Sequence, residues 1–533
     1  MTECNQSSFG FEACGRREVV ARFDGGTISS DGGAFLLRQT DKRLNLLARL
    51  GECFLDGRNQ KLVEHTIPEM LAQRIYGLAL GYEDINDHEQ LRKDPVFGIL
   101  AGREEPDEPL AGKSTLNRME LGTGINGRYK KITYWKEAVD ELLVKVFIEA
   151  HPSAPAEIVL DVDTTDLPLH GKQEGRFFHG YYDHYCYLPL YVFCGEHVLC
   201  ARLREANHDA AFGCLAEIRR IVTQVRAAWP EVKIVLRGDS GFCRNELMSW
   251  CENNDVDYVL GLARNQRLRR IIGRQMHEAT QQWNQTGKPA RVFTEFEYST
   301  KKTNKGGWDC ERRVVAKAEH IDGKENPRFV VTSLAGADWN PRGLYEDLYC
   351  ARGDMENRIK EQFSLFADRV STESIRANQM RLYLSAMAYI LVSGLRRLGL
   401  KATELAQAQV STIRTKLLKI GAQIRVTVRK VWVSMASSYP WQDLTSRSGR
   451  TCAVERPIAS LASFKFQSAA RSGSDPCATT DLQTPHTPPA TPEGPPLLGQ
   501  IDSSFSGQPE SCSPRHHGGL KSCAFDLPVR YPG

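Results

Sequence analysis

Two segments of this 533-residue chain have the pattern of apolar strands that end in acidic side chains. The first runs from Glu157 to Asp163 and the second from Ile234 to Asp239. This feature constrains the fold strongly, because a charge taken out of water is costly unless it is paired or bound to a metal. In open α/β sheets, ligands bind at the carboxyl ends of the strands. The pattern predicts an α/β domain with a functional site at one edge of its sheet.

The acids of the two strands have structural as well as functional interpretations. Alternation with a period of two residues puts Asp161 and Asp163 on one face of the first strand, opposite Leu160 and Val162. Either carboxylate is a candidate, and either one can instead cap a turn through its oxygens. Asp239 enters a glycine-rich turn, where aspartate is also common for purely local reasons.

A third candidate lies in a helical stretch from Tyr349 to Lys360. At about 100° per residue, Arg352, Glu356 and Lys360 lie within roughly 60° of Tyr349 around the helix axis. One face therefore presents a hydroxyl group, two cations and an acid. The alternative is an ordinary ladder of charges on a solvated helix, which contributes only tenths of a kcal/mol.

Carboxylates from three separate elements, with cations beside one of them, suit magnesium chemistry on phosphates. Oxygen ligands fit this hard ion, and two ions about 4 Å apart can activate a water or a 3′-hydroxyl group and stabilise the leaving oxygen. The neighbouring cations would then hold phosphate groups.

With these residues in place, the sequence resembles the DDE transposases of bacterial insertion sequences, which have a ribonuclease-H-like catalytic core. The family's Tyr-x2-Arg-x3-Glu signature is present as Tyr349, Arg352 and Glu356. Its first two acids match Asp163, which is followed by two threonines, and Asp239. The match favours Asp163 over Asp161 as the first acid without excluding Asp161.

Within the family, the chain most resembles the branch named after insertion sequence 1380, over about residues 20–445. The family lysine, usually seven positions after the glutamate, is Phe363 here, and Lys360 is a candidate substitute whose role stays open. The motifs that carry the branch resemblance are Phe23–Gly26, Ser30–Ala34, Pro168–Gly171 and Arg352–Arg358.

The resemblance implies a transposase that binds terminal inverted repeats and catalyses metal-dependent DNA cleavage and strand transfer. Asp163, Asp239 and Glu356 would be its catalytic residues and would ligate two Mg²⁺ ions, with Mn²⁺ as a substitute. Tyr349, Arg352 and Lys360 would bind the phosphate near the cut. Its partners would be the double-stranded DNA of the repeats and of the target, held by a homodimer or a higher assembly. The alternatives are a ribonuclease-H-like nuclease without joining activity and an inactive transposase that only binds DNA.

Changes of pattern along the chain predict its domain organisation. Helical periodicity from Arg38 to Arg118 and an amphipathic helix from Ala210 to Ala228 support the α/β assignment. From about Ser446 the chain is rich in Ser, Pro, Gly and Thr, a composition that cannot bury enough apolar surface to fold. We expect a mainly helical DNA-binding domain (1–150), the first part of the catalytic core (151–272), a β insertion (273–335), the end of the core with basic helices (336–445) and a disordered tail (446–533).

The overall charge does not by itself identify a DNA-binding protein. The 69 Lys and Arg residues exceed the 65 Asp and Glu residues by only four, so clustering must decide. One stretch without acids is a candidate DNA-binding segment, since positive charge there would release counterions from a duplex. The alternative is a solvated basic helix face. The cations of this segment are Arg414, Lys416, Lys419, Arg425, Arg429 and Lys430.

The beginning of the sequence and the cysteines indicate where the protein works. Residues 1–5 show neither a basic nor an apolar targeting region, and no stretch approaches the roughly 18 apolar residues of a membrane span. We expect a soluble cytoplasmic protein without a membrane partner, bacterial by resemblance and associated with the nucleoid when it binds DNA. The 15 cysteines are scattered without a Cys-x-x-Cys pair, which is typical of reduced thiols.

Overall fold

The computed structural model describes residues 8–453 except 107, 123–128 and 301–306. Most of its helices lie before residue 150 and after residue 340. The α-helices are α1 (Phe35–Leu44), α2 (Leu46–Glu52), α3 (Ile67–Leu80), α4 (His88–Leu91), α5 (Pro95–Ala101), α6 (Lys113–Glu120), α7 (Lys136–Glu149), α8 (Cys214–Ala228), α9 (Asn245–Glu252), α10 (Gln266–Ile271), α11 (Gly273–Thr286), α12 (Pro341–Gly343), α13 (Gly353–Phe363), α14 (Ile375–Gly399), α15 (Val410–Ile413) and α16 (Gln442–Ala453).

The strands are concentrated in the middle of the chain. They are β1 (Phe9–Cys14), β2 (Arg17–Ala21), β3 (Ile28–Ser29), β4 (Phe54–Asp56), β5 (Ile132–Tyr134), β6 (Glu157–Thr164), β7 (Leu167–Pro168), β8 (Phe177–His179), β9 (His184–Tyr187), β10 (Leu190–Cys194), β11 (His197–Arg202), β12 (Lys233–Gly238), β13 (Val256–Leu262), β14 (Ala290–Tyr298), β15 (Arg312–Ile321), β16 (Lys324–Glu325), β17 (Arg328–Thr332), β18 (Ala422–Thr427) and β19 (Lys430–Met435).

One mixed sheet organises the α/β part, in the order β11-β10-β6-β12-β13-β17-β15-β14, with β16 paired to β15. The neighbours β6, β12 and β13 are parallel, whereas β10 runs antiparallel to β6 and β17 antiparallel to β13. Both strands that end in acids are therefore central strands. Of the β insertion expected over residues 273–335, the antiparallel strands are present as β14, β15 and β17, which continue this same sheet, whereas residues 273–286 form α11.

The two faces of the sheet pack against different layers. Leu160 and Val162 of β6 are fully buried on the face covered by α8 and α9. The other face packs Val235 and Val259 against the helical segment that contains Leu348. Asp161 and Asp163 alternate with the two apolar residues of β6, as the sequence pattern predicts.

The helices of the N-terminal part share one apolar core with α14. This 25-residue helix is buried along most of its length and packs against α1, α3 and α16 as well as β11. A helix that is apolar on all sides needs neighbours on all sides. No described helix is long and apolar enough to span a membrane. All described cysteines are free thiols, in agreement with the sequence analysis.

Two sequence expectations about the C-terminal part are wrong. The sequence analysis predicts helices throughout the basic segment, but residues 422–435 form the antiparallel hairpin β18–β19, which also pairs with β3. The physical reason is a period-2 pattern in which Ala422 and Ile424 are buried between exposed neighbours. The predicted tail also starts too early, because α16 extends to Ala453 and buries Ser448 and Cys452. The rest of that tail, from residue 454, lies outside the described residues.

A pair of glycines fixes the contact between the start of α1 and the C-terminal part. The main chain at Gly33 passes so close to Leu417 that a Cβ atom would lie 1.8 Å from the Leu417 carbonyl oxygen. At Gly32 it would lie 2.6 Å from the Cβ of Ala422. The fold thus explains the glycines of the Ser30–Ala34 motif by close packing.

We predict that Gly33→Ala lowers the free energy of unfolding by roughly 1–3 kcal/mol or more, because the added methyl group meets main-chain atoms that cannot move alone. Urea unfolding measures the change. The matched control is Gly421→Ala, since a Cβ there meets no atom within 4 Å. Equal stabilities of the two variants would contradict the packing described.

Candidate active site

The carboxyl ends of β6 and β12 lie side by side at the centre of the sheet. In their parallel register Asp161 is opposite Arg237 and Val162 is opposite Gly238. Asp163 and Asp239 follow directly at the next position, one on each chain segment. The register of two apolar strands thus brings together acids that are far apart in the sequence.

Asp163 is held by its neighbours through both oxygens. Its Oδ1 accepts a hydrogen bond from the Thr164 amide at 2.8 Å, and its Oδ2 pairs with Nη1 of Arg352 at 2.9 Å. Burial raises the pKa of Asp163 to about 6; the negative charges of Asp239 and Glu356 act in the same direction and Arg352 opposes them. Asp163 is thus within electrostatic range of both other predicted acids.

Asp161 has a different environment. It is buried, with a relative exposure of 4%, and it accepts hydrogen bonds from Nε and Nη2 of Arg237 at 2.5 and 2.8 Å. Nη1 of Arg237 donates to the Leu348 carbonyl oxygen at 2.5 Å. Burial raises the pKa of Asp161 and the guanidinium opposes that shift. Asp161 therefore serves as the partner of a buried arginine, and this geometry favours Asp163 as the first acid.

Asp239 forms the turn that follows β12. Its Oδ1 accepts a hydrogen bond from the Gly241 amide at 2.8 Å and caps a 3₁₀ turn over Ser240–Phe242. Gly261 of the adjacent β13 permits this arrangement. A Cβ at Gly261 would lie 2.8 Å from the Ser240 nitrogen and 2.7 Å from the Tyr349 hydroxyl oxygen. The local turn interpretation of Asp239 is thus correct, and the charge of the same carboxylate also acts on Asp163.

The segment that carries Glu356 packs on the sheet face formed by Val235 and Val259, and it begins with an irregular helix. Leu344–Tyr349 is π-helical and leads through a 3₁₀ turn into α13, a type of irregularity that is frequent at functional sites. Arg352 lies at the start of α13 and donates to Asp163 and, from Nη2, to Oε1 of Glu356 at 3.2 Å. Arg352 therefore bridges two of the predicted acids.

The remaining residues of the signature lie at the edge of this cluster. Tyr349 is half-buried, and burial raises the pKa of its hydroxyl group, with Arg352 opposing and Asp239 adding to the shift. Lys360 is exposed one turn after Glu356, and its side chain makes no hydrogen bond or ion pair within the described part of the chain. Lys360 is thus available to a ligand.

The predicted basic segment is divided by the fold. Arg414 donates to the Ala79 carbonyl oxygen at 2.9 Å and the Ser364 carbonyl oxygen at 2.8 Å. Lys419 pairs with the buried Asp31 at 2.7 Å. Both cations have structural partners, so the prediction that they bind DNA is not favoured by this geometry.

The other four cations of the segment are more accessible. Lys416 is half-buried, with its ammonium group 4.1 Å from the centre of the Trp441 ring. Arg425, Arg429 and Lys430 are exposed on the β18–β19 hairpin. Of the six cations predicted to bind DNA, three are therefore exposed together on one hairpin and are accessible to a ligand.

Sequence reasoning missed Arg237 and Gly261. A signal for Arg237 was present, because a lone arginine in an otherwise apolar strand needs a buried carboxylate, and Asp161 is the matching residue of the other strand. No sequence signal identifies Gly261, since its role depends on contacts from two distant segments.

The donor set is chemically suited to a divalent cation. Asp163, Asp239 and Glu356 carry three negative charges against the single positive charge of Arg352. Hard oxygen donors with uncompensated charge are what such ions require. Among the described residues, no group of three or more His, Cys, Asp or Glu side chains already converges closely enough to hold a metal.

Comparison with known proteins adds a family match. The profile of the family described as Transposase DDE domain group 1 matches residues 11–451. No curated protein sequence matches the chain. Among solved structures, the chain is similar to a piggyBac transposase in a synaptic complex with hairpin DNA, with 10% identity and a TM-score of 0.37 over 78% of this chain and 81% of that one. This structural likeness is too weak to assign the fold.

We predict that Arg237→Ala lowers the free energy of unfolding by about 3–5 kcal/mol, because it leaves the buried Asp161 carboxylate without a counter-charge. Asp163→Asn should lower the stability less than Arg237→Ala, because an amide oxygen still accepts from Thr164 and Arg352 keeps Glu356 as an ion-pair partner. Urea unfolding of both variants tests the distinction, and a larger loss for Asp163→Asn would reverse our assignment of the two aspartates.

Proposed function

This chain belongs to the family Transposase DDE domain group 1, and on that premise we propose that it is the transposase of an insertion sequence. It binds the terminal inverted repeats of the element, cuts the DNA and joins the freed ends to target DNA. The observation that carries the proposal is the bridge from Arg352 to Asp163 and Glu356, with Asp239 on the adjacent strand.

In this proposal Asp163, Asp239 and Glu356 are the catalytic residues and hold two Mg²⁺ ions, with Mn²⁺ as a substitute. When bound, the metal ions supply stabilisation for the attacking and leaving oxygens of phosphodiester chemistry. The protein's contribution is to carry the three carboxylates on rigid elements, two of them bridged by Arg352. Asp163 lies near the end of β6, Asp239 directly follows the adjacent parallel strand β12, and Glu356 lies on α13.

Arg352, Tyr349 and Lys360 orient the DNA phosphate next to the cut. Arg352 is well placed for this task, because a planar guanidinium can bind phosphate through two hydrogen bonds. Its present partners are carboxylates, which become available when Arg352 turns to the DNA backbone. Lys360 adds an exposed positive charge one turn after Glu356. It takes the place of the family lysine, whose usual position is occupied by Phe363 in this chain.

We propose that the part of the sheet around β6 and β12 is a ribonuclease-H-like core and that the chain belongs to the branch of insertion sequence 1380. Residues 151–272 and 336–445 contribute to this core and residues 273–335 form its β insertion. The helices within residues 1–150 form a DNA-binding part. A homodimer or higher assembly holds two element ends and the target, in the cytoplasm of a bacterium and at the nucleoid when DNA is bound.

We expect Glu356→Gln to lower metal-dependent cleavage and joining of a labelled terminal-repeat DNA at least about 100-fold, because a carboxylate that holds the metal is lost. Gel analysis with Mg²⁺ or EDTA measures nicked and joined products. Glu404→Gln, which neutralises an exposed acid elsewhere, is the control and should retain activity. Binding without cleavage by the natural chain would support an inactive transposase, and cleavage without joined product would support a nuclease.

The exposed cations of the β18–β19 hairpin should contribute to DNA affinity through counterion release. Replacing Arg425, Arg429 and Lys430 with glutamine is expected to reduce the slope of log K against log salt by about 0.9 for each phosphate that is no longer neutralised. Fluorescence anisotropy with duplex DNA over a range of salt concentrations measures the slope. A variant with the same charge loss at Lys233, Lys288 and Lys324, which are exposed and lie outside residues 1–150, is the control. An identical slope in both variants would remove the hairpin from the DNA-binding surface.

A further inference from the structure

A group of exposed aromatic rings lies 14 to 22 residues after Asp163 in the sequence. Between β7 and β10 the chain forms a small sheet in the order β7-β9-β8. We call its outward-facing rings, with the adjacent arginine, the aromatic ribbon. Single exposed rings are common, whereas a contiguous group usually marks a binding site. The aromatic ribbon consists of Arg176, Phe177 (39% exposed), Phe178 (52%), Tyr181 (72%) and Tyr185 (43%).

Two rings of the aromatic ribbon and its arginine contact one another. Phe178 and Tyr185 are paired across β8 and β9, with ring centroids 5.6 Å apart and an edge-to-face geometry. The guanidinium carbon of Arg176 lies 4.1 Å from the centre of the Tyr185 ring, and the same side chain donates to the Gly171 carbonyl oxygen. The ribbon is therefore a preformed surface that combines π faces with a positive charge.

Several contacts tie the aromatic ribbon to the end of the strand that carries Asp163. His184 pairs with Asp166 through Nε2 and Oδ2 at 2.8 Å, three residues after Asp163. The Leu169 amide donates to the Tyr185 carbonyl oxygen at 2.8 Å. Tyr182 lies near Asp166 and Asp163, whose negative charges add to burial in raising the pKa of its hydroxyl group. A ligand on the ribbon would thus lie close to the candidate active site.

We propose that the aromatic ribbon binds unpaired nucleotides of single-stranded DNA next to the cleaved end. This inference rests on the proposed function and names a further binding site for it. Bases within a duplex are already stacked on each other, so only an unpaired base offers a free face to Phe178 or Tyr185. Arg176 contributes the positive charge that follows the phosphate backbone, as is usual for stacking surfaces on single strands.

The test uses the full chain and a fluorescein-labelled single-stranded oligothymidylate. Phe178→Leu combined with Tyr185→Leu keeps apolar side chains at exposed positions but removes the π faces. We expect this variant to bind the oligonucleotide at least roughly tenfold more weakly than the natural chain. Phe178→Tyr combined with Tyr185→Phe preserves both rings and should bind within about twofold of the natural chain.

Binding of a fully paired terminal-repeat duplex, measured in parallel, separates this inference from the proposed function. We expect the leucine variant to bind that duplex as the natural chain does. Equal affinity of the leucine variant and the natural chain for oligothymidylate would overturn the inference, as would the absence of any binding by the natural chain, which would point to a protein partner instead. A duplex that is neither bound nor cut, while oligothymidylate binding still depends on the rings, would overturn only the proposed function.

Discussion

The buried ion pair between Asp161 and Arg237 is the interaction on which the geometry of the site depends. It joins the two central parallel strands just before their acids emerge, and the same guanidinium also holds the Leu348 carbonyl oxygen. All three segments that carry candidate acids are thus tied to one side chain. A buried pair of this kind contributes little net stability, because desolvation offsets the attraction. Its effect is to fix positions, since moving any one segment would leave a buried charge or carbonyl group without a partner.

A second arginine occupies the next layer outward and has a different role. Arg352 is 17% exposed and contacts two carboxylates, one on the sheet and one on its own helix. Burial raises the pKa of Asp163 to about 6, Arg352 opposes that shift, and the negative charges of Asp239 and Glu356 add to it. The protein has therefore assembled more negative charge than it neutralises itself. Three carboxylates beside one guanidinium form a donor set that is chemically suited to a divalent cation.

The elements that sequence reasoning predicted correctly are those with a local signal. The apolar runs of β6 and β12 and their terminal acids needed only strand periodicity. The helical repeat predicted the part of the third segment that forms α13, but not the π-helical and 3₁₀ turns that carry Tyr349 and Arg352. By contrast, the choice between Asp161 and Asp163 depends on which one meets Arg237 in the register of β6 and β12. The role of Gly261 could not be predicted from the sequence either. It depends on the close approach of the Tyr349 hydroxyl group and the Asp239 turn to the same Cα atom. Contacts between distant segments decide both cases, and no local pattern encodes them.

Contacts between distant segments also decide which cations of the basic segment are accessible to DNA. Its cations are equivalent in a count of charges, yet the fold separates them according to the acceptors that reach them. Arg414 meets carbonyl oxygens at the C-terminal end of α3, where a helix leaves such groups without partners and where positive charge is favourable. Lys419 neutralises the buried Asp31 and lies over the Tyr82 ring. Arg425, Arg429 and Lys430, which are exposed on the β18–β19 hairpin, have no such buried acceptor among the described residues. The number of cations in a basic segment is therefore an upper limit on the number that can contact a nucleic acid. Each cation that pairs with a buried acceptor of the protein itself lowers that number.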